Sequence, residues 1–186
     1  MRDYLDIKLL PDPEFSQSML MNALYAKLHR ALVNLKNTDM GISFPFYDEA
    51  KPCLGGRLRL HGSEEILNKL MQQPWLNGMR DHVRVGSVLP VPETSELIQV
   101  KRVQAKSNVE RLRRRRMKRH QLTEAEVKEI LPDGTEERLK LPFLTVKSYS
   151  TAQTFRFFIK QTRVSEGQIG QFNAYGFSLS ATLPYF

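Results

Sequence analysis

YLDIKLLPDPEFSQSMLMNALYAKLHRALVNL, residues Tyr4 to Leu35, decides how the first half of this chain is built. YLDIKLL alternates apolar and polar residues, the period of a half-buried strand. PDPEF breaks the alternation. From Ser16 to about Leu35 the residues Leu20, Leu24, Leu28, Ala31, Leu32 and Leu35 recur at helical spacing, so one face of a helix is expected to be buried. MGISFPFY (Met40 to Tyr47) reads as a strand interrupted by Pro45. LGGRLRLHG reads as another, with Leu58 and Leu60 facing one way and Arg57, Arg59 and His61 the other. SEEILNKLMQ (Ser63 to Gln72) opens with a capping serine and two acids, the start of a helix, and HVRVGSV (His82 to Val88) is a short strand.

The order β-α-β-β-α-β is the ferredoxin-like pattern, shared with RNA-recognition modules, although a fold pattern alone fixes no function. PVPETSE (Pro90 to Glu96) reads as a linker, which predicts domains at 1–94 and 95–186. In the second, LIQVKRVQAK (Leu97 to Lys106) reads as a strand. Ser107 and Glu110 form a capping box that opens a helix over about 108–119, and Thr123 with Glu126 repeats it for a short helix ended by Pro132. FLTVKSYS, TFRFFIK and FNAYGFSLS, starting at Phe143, Thr154 and Phe172, are strand candidates. The expected class is α+β: a ferredoxin-like, RNA-recognition-module-like N-terminal domain, then a smaller α+β domain bearing an arginine-rich helix.

Hydrophobic residues make up 41% of the 186, enough for a core. The sequence contains no run of 18 apolar residues, so no membrane span is expected, and its opening does not read as a secretory signal. The single cysteine, Cys53, makes no internal disulfide, which suits a reducing cytoplasm. The net charge is +8, but Lys101 to His120 alone carries +9 and the remainder −1. A near-neutral globule with one concentrated basic element points to a polyanionic partner, most often nucleic acid.

At 100° per residue, Arg111, Arg114, Arg115, Lys118 and Arg119 share one broad helix face. Val109, Leu112 and Met117 lie roughly opposite, with Arg113 and Arg116 on the docking side, at its rim. Five like charges on one face repel and contribute nothing to folding, and a face serving only solubility would mix in acids. A lone arginine helix fits a DNA major groove or an RNA stem near its loop or end. The absence of a preceding helix argues against helix-turn-helix, and the ferredoxin-like half favours RNA.

The sequence carries no CxxC, HExxH, Walker loop or acidic cluster, so neither a metal nor a cofactor is expected. A nuclease without metal must move protons with side chains, and histidine suits that near neutral pH. Four are available: His29, His61, His82 and His120. His61 and His82 read as strand-edge residues. His120 ends the basic helix, where an imidazolium suits the dipole or a phosphate. His29, one step from Leu28, reads on its own as a boundary residue of the first helix.

The block RVQAKSN-x-ERLRRR-x-M-x-RH, with YLDIKLLPDPEF, KLHRALV, PWLNGMRDHV, LPFLTVKSYST, AYGFSLS and the terminal PYF, resembles the type I-F (Ypest subtype) CRISPR-associated endoribonucleases, which process precursor CRISPR RNA. The resemblance spans essentially the whole chain. It implies metal-independent cleavage at the 3′ base of a repeat stem-loop: the upstream 2′-hydroxyl attacks the adjacent phosphate, leaving a 2′,3′-cyclic phosphate and a 5′-hydroxyl. DNA, lacking that hydroxyl, would not be cut.

By the same resemblance His29 transfers the proton, Ser148 holds the attacking hydroxyl, Tyr175 orients the histidine and Ser150 helps. Arg102 and Gln104 read base edges, a guanine and an adenine respectively. Lys106, Ser107 and Asn108 complete the RNA-binding block with Arg111, Arg114, Arg115, Lys118, Arg119 and His120. Phe155 stacks on the terminal base of the stem, although Phe155, Phe157 and Ile159 alternate as core residues do. Lys118 departs from the expected arginine and gives up bidentate geometry. The implied partners are the repeat stem-loop and other subunits of a type I-F interference complex, with a monomer on the RNA, retention of the processed guide, and a prokaryotic cytoplasm. Two other readings stand beside this: a non-catalytic RNA-hairpin-binding assembly subunit, and a DNA-binding protein.

Overall fold

The computed structural model describes residues 1–36, 38–93, 95–104, 109–132, 139–147 and 154–186. Contacts divide the chain into two compact units, Met1–Arg102 with Leu141–Phe186, and Val103–Lys140. The elements in chain order are β1 (Asp3–Leu9), α1 (Gln17–Leu35), β2 (Gly41–Ser43), β3 (Arg57–Gly62), α2 (Glu64–Met71), β4 (Val83–Val85), β5 (Leu89–Pro90), β6 (Glu96–Val103), α3 (Val109–His120), α4 (Glu124–Ile130), β7 (Phe143–Lys147), β8 (Thr154–Val164) and β9 (Leu183–Tyr185). Among the described residues this is an α+β protein with two antiparallel sheets and four α-helices. No helix among them is long and apolar enough to cross a membrane.

The first sheet runs β2-β3-β1-β4, with β5 also paired to β1. The register sets Leu5 opposite Leu60 and Ile7 opposite Leu58, so the apolar positions of both strands fall on one face. Against that core packs α1, started by Ser16, whose side chain accepts the Met19 N–H, and ended by Lys36 in the left-handed region at φ 50°. Leu20, Leu24, Leu28, Ala31 and Leu32 are buried as their spacing requires. Each buried leucine contributes about 2 kcal/mol relative to exposure. Ser63 caps α2, which buries Leu67 and Leu70.

The opposite face of β3 departs from expectation. Arg59 and His61 do point away from Leu58 and Leu60, but they are buried, at 4% and 0% exposure, and β3 is an interior strand. The C-terminal residues cover this face. Arg59 Nε lies 2.7 Å from Asp6 Oδ1, Nη2 lies 3.0 Å from Oδ2, and Nη1 donates to the main-chain oxygen of Phe186. Its guanidinium also rests over the Tyr4 and Phe186 rings. His61 Nε2 is 2.7 Å from the Ser43 hydroxyl, and burial pulls the imidazole down to about 3, so it stays neutral. A Cβ at Gly41 would sit 2.6 Å from both Leu183 and Phe172, so only glycine allows β2 its close approach to the C-terminal segment. His82 lies in a 3-10 turn before β4, its Nδ1 2.9 Å from Asp12 Oδ2.

The second sheet runs β7-β8-β6-β9 and buries Val100, Leu144, Phe157, Ile159 and Leu183 in the same core. Gln161 of β8 brackets Phe44, accepting its N–H at 2.7 Å and donating to its carbonyl at 3.0 Å, as a neighbouring strand would. FNAYGFSLS is not a strand. Only an isolated bridge, Phe172 to Ser178, survives there, because Asn173 folds the segment into a turn. The strand in this region is the shorter LPY of β9, whose Pro184 is tolerated at the sheet's edge.

In the second unit, α4 carries the expected capping box: Thr123 and Glu126 satisfy each other's backbone N–H groups. The Ser107–Glu110 box lies outside the described residues. Arg113 is half-buried and donates from Nε, at 2.9 Å, and from Nη2 to the carbonyl of Leu131, which ends α4. Leu112 and Met117 are also half-buried, whereas Arg116 is exposed.

Candidate active site

One turn and one helix build the candidate centre. In NAYG (Asn173 to Gly176), the Gly176 N–H bonds the Asn173 carbonyl at 2.9 Å, and Asn173 Oδ1 accepts the N–H groups of Tyr175 and Phe177. Gly176 sits at φ +76°, and a Cβ there would meet Ile42 Cγ2 at 2.8 Å. So constrained, the turn meets α1 three times. The Ala174 carbonyl is 3.0 Å from His29 Nδ1. The Tyr175 ring stacks on the His29 ring, with centroids 4.1 Å apart and planes at 10°. The Tyr175 carbonyl accepts the hydroxyl of Tyr25, one helical turn before His29. Burial keeps the Tyr25 phenol well above its ordinary pKa, so it remains a donor.

A carbonyl oxygen only accepts, so His29 Nδ1 carries the proton of this hydrogen bond. In the neutral ring Nε2 is then the basic nitrogen. Burial lowers the His29 pKa. The Ala174 hydrogen bond opposes that shift, and the nearby positive charge of Arg30 adds to it. A half-buried imidazole of fixed tautomer, neutral near pH 7, can take a proton at Nε2.

Aromatic contacts extend from the histidine. Phe157 meets Tyr175 edge-on at 5.0 Å, and Phe155 meets Phe157 edge-on at 5.0 Å. The Arg102 guanidinium lies 3.9 Å from the Phe157 ring centroid. Phe155 is half-buried, while Phe157 and Ile159 are fully buried, so the alternation belongs to the core from Phe157 onward. His29, Tyr175, Phe155 and Arg102 are thus linked by ring contacts in one unit. Gln104 is exposed one residue past the end of β6. Arg114, Arg115, Lys118, Arg119 and His120 are exposed on α3; Arg111 lies in that helix, but its side chain is not among those described. Lys106, Ser107, Asn108, Ser148 and Ser150 lie outside the described residues.

Sequence reasoning missed Tyr25, Phe157, Ala174 and Asn173. The turn itself had a signal, asparagine first and glycine fourth, which was read as part of a strand. Nothing in a sequence marks a main-chain carbonyl such as that of Ala174. Among the described residues no group of three His, Cys, Asp or Glu side chains is placed to hold a metal.

A tautomer-fixed histidine linked by aromatic rings to an exposed arginine, in a chain that also carries an arginine helix, is an arrangement suited to a protein that acts on nucleic acid. The family model "CRISPR-associated protein (Cas_Csy4)" matches residues 4–186, and the chain belongs to this family. It is 47% identical over 187 residues to the "CRISPR-associated endonuclease Cas6/Csy4" of Pseudomonas aeruginosa (strain UCBPP-PA14), and 45% identical over 187 residues to the protein of the same name from Escherichia coli (strain UTI89 / UPEC). Each alignment covers 100% of both chains. A solved chain described as "An RAMP protein binding different RNA substrates" is 13% identical, with a TM-score of 0.36 and 100% of both chains covered. The resemblance read from the sequence is thereby borne out, and the enzyme class is that of an endoribonuclease.

Proposed function

We propose that this endoribonuclease cleaves CRISPR repeat RNA at the 3′ base of a stem-loop without a metal, and retains the processed guide. The observation that carries the reading is His29, stacked on Tyr175 and held through Nδ1 by the Ala174 carbonyl. In this mechanism Nε2 takes the proton of the upstream 2′-hydroxyl. The 2′ oxygen bonds to phosphorus as the P–O5′ bond breaks. The departing 5′ oxygen takes a proton from the imidazolium or from water, giving a 2′,3′-cyclic phosphate and a 5′-hydroxyl.

Ser148 would hold the attacking hydroxyl, with Ser150 assisting. Arg102 and Gln104 would read bases beside the stem, and Phe155 would stack on its terminal base. Lys106, Ser107, Asn108, Arg111, Arg114, Arg115, Lys118, Arg119 and His120 would grip the stem and its phosphates. The strand order β2-β3-β1-β4 with α1 and α2 supports the ferredoxin-like reading of 1–94, with 95–186 supplying the RNA-binding part. We assign the protein to the bacterial cytoplasm, acting as a monomer on its RNA and then within a type I-F interference complex.

The test is incubation with the host's repeat RNA in EDTA, comparing wild type, His29→Ala and a substrate with one 2′-deoxy substitution upstream of the scissile phosphate. Cleavage by wild type alone, on the unmodified RNA alone, is expected. Cutting of the deoxy substrate would overturn the mechanism, and tight hairpin binding without product would favour the non-catalytic binding reading.

A further inference from the structure

Asn22 lies in the interior of α1, where asparagine is a poor helix former. Its Oδ1 accepts the main-chain N–H of Thr145 at 2.9 Å. Thr145 belongs to β7, the outermost strand of the second sheet. The Pro142 carbonyl bonds the Ile159 N–H, so by antiparallel alternation positions 142, 144 and 146 turn their main-chain groups to β8, and Thr145 turns its own outward. Asn22 therefore satisfies an edge N–H that the sheet cannot.

This bond also fixes a register. Gln17, Ser18 and Asn22 of α1 line one cleft with Phe143 and Thr145, which sets the start of β7 beside the first turns of the helix. From Asn22, seven residues return to nearly the same helix face about 10 Å further on, at His29. From Thr145, two residues of extended strand cover about 7 Å and end β7 at Lys147. We propose that Asn22 is a positioning residue for RNA cleavage: by pinning β7 to α1 it sets the spacing between His29 and Lys147, the end of β7 and the residue before Ser148 in the sequence. The proposal rests on the reading of His29 and Ser148 as partners in the reaction.

The test uses the full-length protein and a repeat RNA hairpin. It measures the single-turnover cleavage rate at saturating protein and, separately, hairpin Kd and melting temperature. Asn22→Ala is expected to slow cleavage about tenfold to hundredfold, the scale of a misplacement near 1 Å, with Kd little changed. Asn22→Asp keeps an oxygen acceptor for Thr145 and is expected to restore most of the rate. Thr145→Pro removes the N–H, so the double variant with Asn22→Ala should be no slower than Asn22→Ala alone. Wild-type cleavage by Asn22→Ala overturns the proposal. So does an aspartate as slow as the alanine, a loss of rate matched by an equal loss of hairpin binding, or fully multiplicative losses in the double variant. Failure of the wild type to cut is a different result: it removes the functional reading, and this proposal with it.

Discussion

His29 and Tyr175 lie face to face at 4.1 Å, while the carbonyl of Ala174, the residue before the tyrosine, accepts a hydrogen bond from His29 Nδ1–H. Stacking and tether act on different properties, since the ring excludes water and the carbonyl fixes the tautomer. Tyr175→Phe should preserve both. Tyr175→Ala should expose the imidazole and move its pKa up towards the ordinary value, because burial is the largest cause of its depression. An NMR titration of His29 reads this directly. A base must be neutral to act, so the cleavage rate should rise with pH through the His29 pKa and level off above it. The wild-type midpoint should lie below that of an ordinary imidazole, and that of Tyr175→Ala above the wild type.

Gly176→Ala should damage both fold and site. It strains a residue at φ +76° and sets a methyl against Ile42. Strain of this kind costs about 1–3 kcal/mol, which a lowered urea midpoint would report. Because the turn holds Tyr175 and Ala174 against His29, cleavage at full saturation should slow as well.

Arg102 stacks on Phe157 and is exposed beyond it. Loss of a bidentate base contact costs about 1–3 kcal/mol, so Arg102→Ala should weaken hairpin binding by about that amount and relax selectivity at one nucleotide. Arg102→Lys should not rescue, because lysine supplies neither the planar stack nor the fork. Binding measured across substitutions at that nucleotide separates this outcome from uniform weakening.

The exposed cations of α3 call for a different measurement. The logarithm of the association constant should fall steeply with the logarithm of salt concentration. Arg114→Gln, Arg115→Gln, Lys118→Gln and Arg119→Gln should each reduce that slope by about one where the residue meets a phosphate. A variant that weakens binding without changing the slope marks a side chain that reads bases instead.

His61 makes stability depend on acid. Its folded pKa, about 3, lies well below the ordinary histidine value, so between roughly pH 6.5 and 3 the unfolded chain takes up a proton that the folded chain refuses. The contribution is fully present above pH 6.5 and is lost as the pH falls. At 1.36 kcal/mol per unit, lowering the pH from 6.5 to 5 removes roughly 2 kcal/mol. His61→Gln keeps a polar partner for Ser43 without a titrating ring, and should flatten that part of the stability curve.

Much of the first sheet and its helices was legible because burial there follows period: the leucines of α1 and the alternation of β1 and β3 point inward as their spacing requires. What covers the second face of β3 was not legible. Arg59 and His61 look like surface residues until Asp6, Ser43 and Phe186, distant in sequence, meet them. The site divided the same way. His29 and Tyr175 were named by resemblance, but the atoms that fix the tautomer and hold the turn are a main-chain carbonyl and an asparagine side chain, which no spacing rule isolates. The strand expected at FNAYGFSLS failed because an asparagine able to accept two backbone N–H groups outweighs the β preference of its aromatic neighbours.

The clamp of Arg59 on Phe186 also has a practical side. The last residue is gripped by main-chain oxygen and by ring. A purification handle or fluorescent partner joined directly after it would have to leave beside a buried guanidinium that also serves Asp6. A flexible spacer, or attachment at exposed Met1, leaves that packing alone. A probe coupled to the exposed thiol of Cys53 also avoids both ends of the chain.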